Sequence, residues 1–252
     1  MALDTAAELW GSADYERLSE RFAPIHAEVV ERLHPKPGTR WLDVATGTGA
    51  VALLATRAGA DVVGVDIAPR MIELARAKTG ELLVRFEVGD AESLPYQDAA
   101  FDVVSSVFGV IFAPKHGAAA RELARVCRRR LALTAWCPNR ELAELYGRFG
   151  FGPPEGRHSF DWGREEYVKA LLDEPFELEI ERRTWFLEGA NGDEIWRLWS
   201  TSAPPFKAMV DSLEPETRDG FRRAYVEYCE RFRVDDRVVV PREYLLVVGS
   251  RR

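Results

Sequence analysis

The sequence predicts an α/β fold in which a largely parallel sheet is covered by helices on both faces. Short apolar runs alternate with amphipathic segments over residues 40–136, and a glycine-rich turn joins the first run to the segment after it. Strands that are apolar throughout are typical of parallel sheets buried on both sides. Right-handed crossovers bring the carboxyl ends of such strands to one edge, so we expect the ligand there.

The elements follow in order along the first half of the chain. Apolar residues at helical spacing over 5–33 predict N-terminal helices that end before a Pro-Lys-Pro-Gly segment. The predicted strands cover 40–45, 61–65, 82–88, 101–107 and 131–136. The predicted helices between them cover 48–58, 69–78 and 116–127.

The alternation is less regular after Trp136. The segment 137–163 is rich in proline and glycine, and no regular element is predicted before a helix at 164–172. A strand at 176–187, helices near 192–213 and 215–232, and a buried strand at 243–249 complete the prediction. We therefore expect one domain over 1–252. Its expected parts are a helical lid (1–36), a cofactor-binding half (38–136) and a substrate-side half (137–252) with a helical insertion at about 190–235.

Composition narrows the classes of function. The 252-residue chain has a net charge of −7, which argues against a general nucleic-acid-binding protein. The basic run at 128–130 is expected to be a solvated turn. The three cysteines are far apart and no two histidines have metal-ligand spacing, so no metal site is predicted. No signal sequence and no apolar run of membrane length is present, so a cytoplasmic protein without membrane contact is expected.

The glycine-rich turn and two acidic residues point to the class of ligand. Gly47 and Gly49 allow backbone N–H groups to approach a ligand, which fits a dinucleotide and S-adenosylmethionine equally well. Asp66, at the end of the second strand, suits a ribose hydroxyl in either case. Asp90 ends the third strand and suits an exocyclic amine. A dinucleotide does not require this second acid, so the pair favours S-adenosylmethionine.

Four stretches carry a resemblance to a known family. They are WLDVATGTG (41–49), GVDIAPRMIELAR (64–76), GDAESLPY (89–96) and FDVVSSVFGVIFAPKH (101–116). Together they resemble the class I S-adenosylmethionine-dependent methyltransferases, in the branch similar to the ubiquinone/menaquinone-biosynthesis (type 11) enzymes. The resemblance implies a Rossmann-like seven-stranded sheet of order 3-2-1-4-5-7-6, with the last strand antiparallel and a helical lid or insertion.

The resemblance also implies which residues bind the cofactor. The residues implied are Ala45, Gly47 and Gly49 for the methionine part, Asp66 for the ribose, Ile67 and Met71 for the adenine faces, Asp90 and Ala91 for the adenine edge, Val107 and Phe108 beside the sulfonium, and Tyr15 as the aromatic that closes over the cofactor, with Trp10 second. The family often has glycine at the position of Ala45, so the backbone approach there is expected to differ slightly.

The sequence says less about the methyl acceptor. An apolar stretch in the insertion favours a small, mostly apolar or aromatic acceptor; its residues are Trp196, Trp199, Pro204, Pro205, Phe206 and Met209. Transfer from a sulfonium needs mainly alignment and exclusion of water. A base is needed only for a hydroxyl, a protonated amine or an acidic carbon. His116, on the ligand edge, is the candidate catalytic residue; the alternative is a helix N-terminal residue with no part in catalysis.

Other functions fit parts of the same pattern. A nicotinamide-dependent reductase would share the glycine turn, but the Tyr-x-x-x-Lys set expected after the fourth or fifth strand is absent from the sequence. A non-catalytic protein that binds S-adenosylmethionine would show the same motifs. A nucleic-acid methyltransferase is disfavoured by the net charge and by the lack of an Asn/Asp-Pro-Pro-aromatic motif. The sequence leaves the acceptor atom and the oligomeric state open.

Overall fold

One sheet of eight strands runs through the computed structural model, which describes residues 3–151 and 158–252. The strands are β1 (Arg40–Val44), β2 (Asp61–Asp66), β3 (Val84–Val88), β4 (Phe101–Val107), β5 (Cys127–Trp136), β6 (Phe176–Gly189), β7 (Arg233–Val234) and β8 (Arg237–Arg251). The helices are α1 (Leu3–Gly11), α2 (Tyr15–Ser19), α3 (Ala23–Leu33), α4 (Ala50–Arg57), α5 (Pro69–Ala77), α6 (His116–Val126), α7 (Arg140–Gly147), α8 (Glu165–Leu172), α9 (Gly192–Ser202), α10 (Pro204–Asp211) and α11 (Pro215–Glu230).

The strand order confirms the predicted topology. The sheet reads β3-β2-β1-β4-β5-β8-β6, and the two-residue β7 pairs with β8 beside this path. Strands β1 to β5 are parallel, and β8 is antiparallel to both β5 and β6. Strand β8 is therefore the antiparallel strand that the sequence analysis places seventh.

The centre of the sheet is buried because its strands are apolar on both faces. Val44, Val62, Val104 and Leu131 are all fully buried. Removal of this apolar surface from water is the main favourable contribution to the fold. The parallel pairing of β1, β2, β3 and β4 places their carboxyl ends side by side at one edge of the sheet.

Arg128 and Arg129 are exposed to solvent, but residues 128–130 lie in a strand and not in the predicted turn. Strand β5 begins at Cys127, which pairs with Phe101, and the ladder shifts register between Phe101 and Val103. The guanidinium groups of Arg128 and Arg129 each lie 3.7 Å from a carboxylate oxygen of Asp102 on the neighbouring strand. This carboxylate offsets the charge that the strand carries at the end of the sheet opposite the ligand edge.

One helix and two element boundaries in the second half also differ from the prediction. Helix α7 lies within the segment where none is predicted, and the Asn139 side chain caps it by accepting from the Leu142 N–H at 3.0 Å. The helix expected at 192–213 ends at Ser202, because Pro204 begins a new helix. Strand β8 begins at Arg237, six residues before its predicted start, since its first half pairs with the end of β6.

The N-terminal helices divide into two kinds. Val29 and Leu33 of α3 are buried in the core, where this helix packs against α4 and the sheet. Because α3 is buried in the core, it does not fit the predicted movable lid, which extends to residue 36. Helices α1 and α2 instead lie over the ligand edge and contact α5, α9 and α10. No helix within the described ranges combines the length and apolar character needed to cross a bilayer.

Candidate active site

The turn after β1 requires glycine at two positions. Gly47 and Gly49 have φ values of 55° and 83°, in the left-handed region that other residues rarely adopt. A Cβ atom on Gly47 would lie 3.2 Å from Cε1 of Tyr15, and one on Gly49 would lie 2.7 Å from Cζ of Phe86. Tyr15 therefore packs closely over the turn at Gly47, and Phe86 packs tightly against it at Gly49.

Asp66 connects this turn to the end of β2. Its carboxylate accepts hydrogen bonds from the Gly47 N–H at 2.8 Å and from the Ala68 N–H at 2.9 Å. Burial raises the pKa of Asp66, and these backbone donors oppose the increase. A carboxylate offers about four lone-pair directions, so it can hold both turns and still accept from a ligand hydroxyl.

Asp43 holds the same turn from below. Its two oxygens accept from the Thr46 and Ser105 hydroxyls, each at 2.6 Å, and the Trp41 indole N–H donates to Ser105 at 2.8 Å. Burial raises the pKa of Asp43 to about 6, although both hydroxyls lower it. Asp43 therefore supports the turn by hydrogen bonds.

Two residues at the ligand edge adopt strained backbone conformations. Ala45 and Phe108, which follow β1 and β4, have φ values of 53° and 52°. The Phe108 N–H donates to the buried hydroxyl of Thr134 at 3.0 Å. A Cβ on Gly109 would lie 2.5 Å from Cβ of Ala45. The absence of a side chain at Gly109 therefore makes room for alanine at position 45, where the family often has glycine. Such strain is typical of positions whose geometry serves a site.

A cavity of about 270 Å³ lies above these strand ends. Of the residues implied for the cofactor, those that line it are Tyr15, Ala45, Gly47, Asp66, Ile67, Met71, Asp90, Ala91, Val107 and Phe108. Gly49 instead packs beneath the turn. Trp10 also lines the cavity and meets Tyr15 edge to face, with 5.9 Å between ring centroids. Burial and the charge of Asp66 raise the pKa of Tyr15, so its phenol stays protonated at neutral pH.

A second cavity of about 970 Å³ adjoins the first. The two share an aromatic boundary made of Trp10, Tyr15, Phe108 and Phe112. The insertion residues that line the larger cavity are Trp199, Pro204, Pro205, Phe206 and Met209. Trp196 packs instead into the core of the insertion, 5.4 Å from Phe221 and 5.7 Å from Tyr225 between ring centroids.

Comparisons with known proteins address the family of the chain. A family model described as a methyltransferase domain matches residues 42–132. An uncharacterized protein of Mycobacterium tuberculosis is 36% identical over 98% of this chain and 94% of its own length. A second protein of that organism is also 36% identical, and the match spans 65% of that relative. The demethylmenaquinone methyltransferase of Deinococcus radiodurans is 48% identical over 33% of this chain and 36% of that enzyme.

Solved structures share the fold. The YcgJ protein from Bacillus subtilis has a TM-score of 0.62 and 20% identity, covering 90% of this chain and 97% of that one. The magnesium protoporphyrin IX methyltransferase from Synechocystis with bound S-adenosylhomocysteine has a TM-score of 0.55 and 20% identity, covering 93% and 85%.

This chain contains the methyltransferase domain of the S-adenosylmethionine-dependent family. The alternative of a nicotinamide-dependent reductase is therefore wrong, and the cofactor of the family is S-adenosylmethionine. The charges in the smaller cavity of this methyltransferase fit that cofactor. Its lining contains the carboxylates of Asp66, Asp90 and Glu92, and the one lysine there, Lys115, lies 3.6 Å from a carboxylate oxygen of Glu92. Negative charge suits a sulfonium cation and repels a pyrophosphate.

The structure does not bring His116 to either cavity of the methyltransferase. The histidine is buried at the start of α6, its Nδ1 lies 2.9 Å from the Tyr167 hydroxyl, and its ring packs 5.6 Å from that of Trp162. Neither cavity is lined by it. This position fits packing between α6 and α8 better than removal of a proton from an acceptor.

Several cavity residues of the methyltransferase were missed from the sequence. Trp136, at the end of β5, stacks on Phe108 with 3.9 Å between ring centroids and 2° between planes. Tyr146, on the unpredicted α7, and Arg242, on the unpredicted start of β8, line the larger cavity. The capping Asn139 and the apolar spacing after it are a signal that could have revealed α7.

Proposed function

We propose that this chain transfers the methyl group of S-adenosylmethionine to a small, mostly apolar or aromatic acceptor. The observation that carries the proposal is the shared aromatic boundary between the two cavities. A cofactor in the smaller cavity would present its methyl group at this boundary, and an acceptor in the larger cavity would meet it there. The proposal differs from the alternative of a non-catalytic protein that only binds the cofactor, because it requires transfer of the methyl group.

The proposed cofactor-binding residues are those that line the smaller cavity, held by the supporting networks of Asp43 and Asp66. In this proposal Asp66 accepts from the ribose hydroxyls, and Asp90 accepts from the adenine amine. Ile67 and Met71 cover the adenine faces. Tyr15 closes over the turn, as its contact with Gly47 supports. Gly49 contributes the tight packing that sets the shape of the turn.

The bound cofactor supplies an activated methyl group, so the chain needs chiefly to align the acceptor and exclude water. The aromatic boundary serves both purposes in this proposal. Phe108 and Trp136 form a stacked pair that faces the larger cavity. A flat acceptor can pack against this pair with its reacting atom directed at the boundary. We assign His116 no part in the transfer because it lines neither cavity.

The acceptor class is supported by the walls of the larger cavity. Aromatic side chains and prolines dominate its described lining, which favours a flat apolar molecule over a polar chain. A volume of about 970 Å³ is at the upper end of the range for small-molecule sites. The net charge of −7 disfavours a polyanionic acceptor such as a nucleic acid.

The test is turnover of a panel of phenols, quinols and amines, followed by the S-adenosylhomocysteine released. We expect at least one member to be methylated, with saturation kinetics. The matched variants are Trp199→Ala, in the cavity wall, and His116→Ala, outside it. Trp199→Ala should change KM or the preference among acceptors, whereas His116→Ala that still folds should leave kcat near the parent value. Methylation of RNA or protein alone would contradict the small-molecule proposal, and no transfer to any acceptor class would favour the non-catalytic alternative.

A further inference from the structure

The larger cavity contains a cation whose charge is not balanced by any carboxylate of the described residues. Arg140 pairs with Glu144 at 2.7 Å, and Arg164 pairs with Asp161 at 3.0 Å. Arg242 lines the same cavity, and it forms no ion pair among the residues that the structure describes. It is also half-buried on β8. A cation that is partly removed from water is unfavourable unless a partner replaces the lost hydration.

Aromatic rings hold the Arg242 guanidinium in place. Its Cζ atom lies 5.5 Å from the ring centroid of Trp199 and 5.9 Å from that of Trp136. Such cation–π contacts contribute about 0.5–2 kcal/mol and fix the position of the charge without neutralising it. Burial raises the pKa of the Tyr146 phenol to about 12. The charge of Arg242 and its hydrogen bond with Tyr146 oppose this increase but do not cancel it. Because this phenol stays neutral at physiological pH, it supplies no counter-charge.

The guanidinium is close to the boundary where transfer is proposed. Trp136 contacts Arg242 and also stacks on Phe108, which lines both cavities. One indole ring therefore separates the cation from the boundary. A molecule with a single aromatic ring can place one end at Arg242 and its other end beside Phe108.

We propose that Arg242 binds a carboxylate on the methyl acceptor, so that the substrates are small aromatic acids methylated at a second atom. The inference rests on the proposed function of the larger cavity. An arginine fork pairs well with a carboxylate through two parallel hydrogen bonds. A single unbalanced cation matches one negative charge, whereas a phosphate dianion would bring a second charge into an apolar cavity. Arg242 is thus a positioning and specificity-determining residue.

The experiment compares acids with their uncharged analogues. Binding of benzoate, 4-hydroxybenzoate, 4-hydroxycinnamate and indole-3-acetate, each beside its primary amide, is measured by calorimetry with S-adenosylhomocysteine present. We expect the parent to bind at least one acid about tenfold or more tightly than its amide. Arg242→Gln should weaken that acid about 10- to 100-fold and change the amide by less than about threefold.

Two further variants separate a charge effect from a structural effect. Arg242→Lys keeps the charge and should retain part of the preference for acids. Arg237→Gln removes an exposed arginine of the same strand, which pairs with Glu188 at 3.1 Å outside the cavity, and should leave the preference unchanged. The inference would be overturned if the parent bound acids and amides equally or bound no acid. It would also be overturned if Arg242→Gln weakened the binding of acids and amides equally. If the parent fails to bind S-adenosylhomocysteine itself, the proposed function fails; if it binds and shows no preference for acids, only this inference fails.

Discussion

Asp66 is the residue on which the proposed cofactor site depends most. Its carboxylate is directed at the ligand edge and holds Gly47 and Ala68 by their N–H groups. Asp66→Ala should weaken binding of S-adenosylhomocysteine by about 2–3 kcal/mol, because charge-assisted hydrogen bonds to two ribose hydroxyls are lost. Asp90→Ala should cost less, about 1 kcal/mol, since it removes a single acceptor. Isothermal calorimetry measures both losses.

Two controls distinguish ligand contact from support of the turn. Asp66→Asn removes the charge and keeps an acceptor for only one of the two backbone N–H groups, so it should bind the ligand weakly and also unfold below the parent temperature. Asp61→Asn changes the exposed first residue of the same strand and should bind like the parent. Parent-like affinity of both Asp66 variants would show that the ribose lies elsewhere.

Asp43 should make stability depend on pH. Its pKa is raised from 3.8 to about 6 in the folded chain, so the folded state holds its proton more tightly than the unfolded state does. The stabilisation is therefore complete below pH 4 and is lost as the pH rises through 6. A shift of this size corresponds to about 3 kcal/mol. Urea unfolding of the parent and of Asp43→Asn between pH 4 and 7 should show the parent losing about 2–3 kcal/mol relative to the variant; parallel curves would refute the assigned pKa.

Among the elements, the N-terminal helices have unequal roles. Helix α3 belongs to the core, whereas α1 and α2 carry Trp10 and Tyr15 to both cavities. Glu16 of α2 pairs with Lys78, just beyond α5, and the Asp14 N–H donates to the Thr201 carbonyl of α9 at 3.2 Å. These few polar contacts join the two helices to both halves of the chain, as expected of a segment that opens to admit ligands.

The closing segment should therefore be residues 3–19. Hydrogen exchange of the backbone should slow in α1 and α2 when S-adenosylhomocysteine is added, because the ligand packs against Tyr15. Helix α3 is the internal control and should exchange at the same rate in both states. Equal exchange of α1 and α2 with and without the ligand would contradict a lid, and slowing that extends through α3 would restore the boundary at residue 36.

At the scale of the whole molecule, the sequence predicted what depends on local pattern. Strands β1, β2 and β4 are short, largely apolar runs with clear turns, and cofactor residues lie at their ends, so these strand ends could be placed without knowledge of distant contacts. The extra length of β8 could not be found this way. Its first half contains Pro241 and Arg242 and is a strand because β6 and β7 pair with it.

The larger cavity was predicted only in part, because its walls depend on contacts between elements that are distant in the sequence. Trp199 and Phe206 stand out as an aromatic stretch, but Trp196, three residues before Trp199, faces the core instead. The periodicity of one helix cannot decide which face a distant element covers. Arg242 and Tyr146 come from elements far apart in the chain, and only the antiparallel pairing of β8 brings them into one cavity.

The two halves share one sheet, and this should make the chain unfold as a single unit. Strand β8, from the second half, pairs along β5 from Arg130 to Trp136, so neither half has a complete core alone. A ligand in the smaller cavity should stabilise both halves together. S-adenosylhomocysteine at about 100 times its Kd adds about 2.7 kcal/mol, which raises the Tm of a chain of this size by about 5–10 °C. Calorimetry should show one transition that shifts by this amount, while NADH leaves it in place and Asp66→Ala reduces the shift to about 1–3 °C. Two transitions of which only one responds to the ligand would mean that the halves are separate domains.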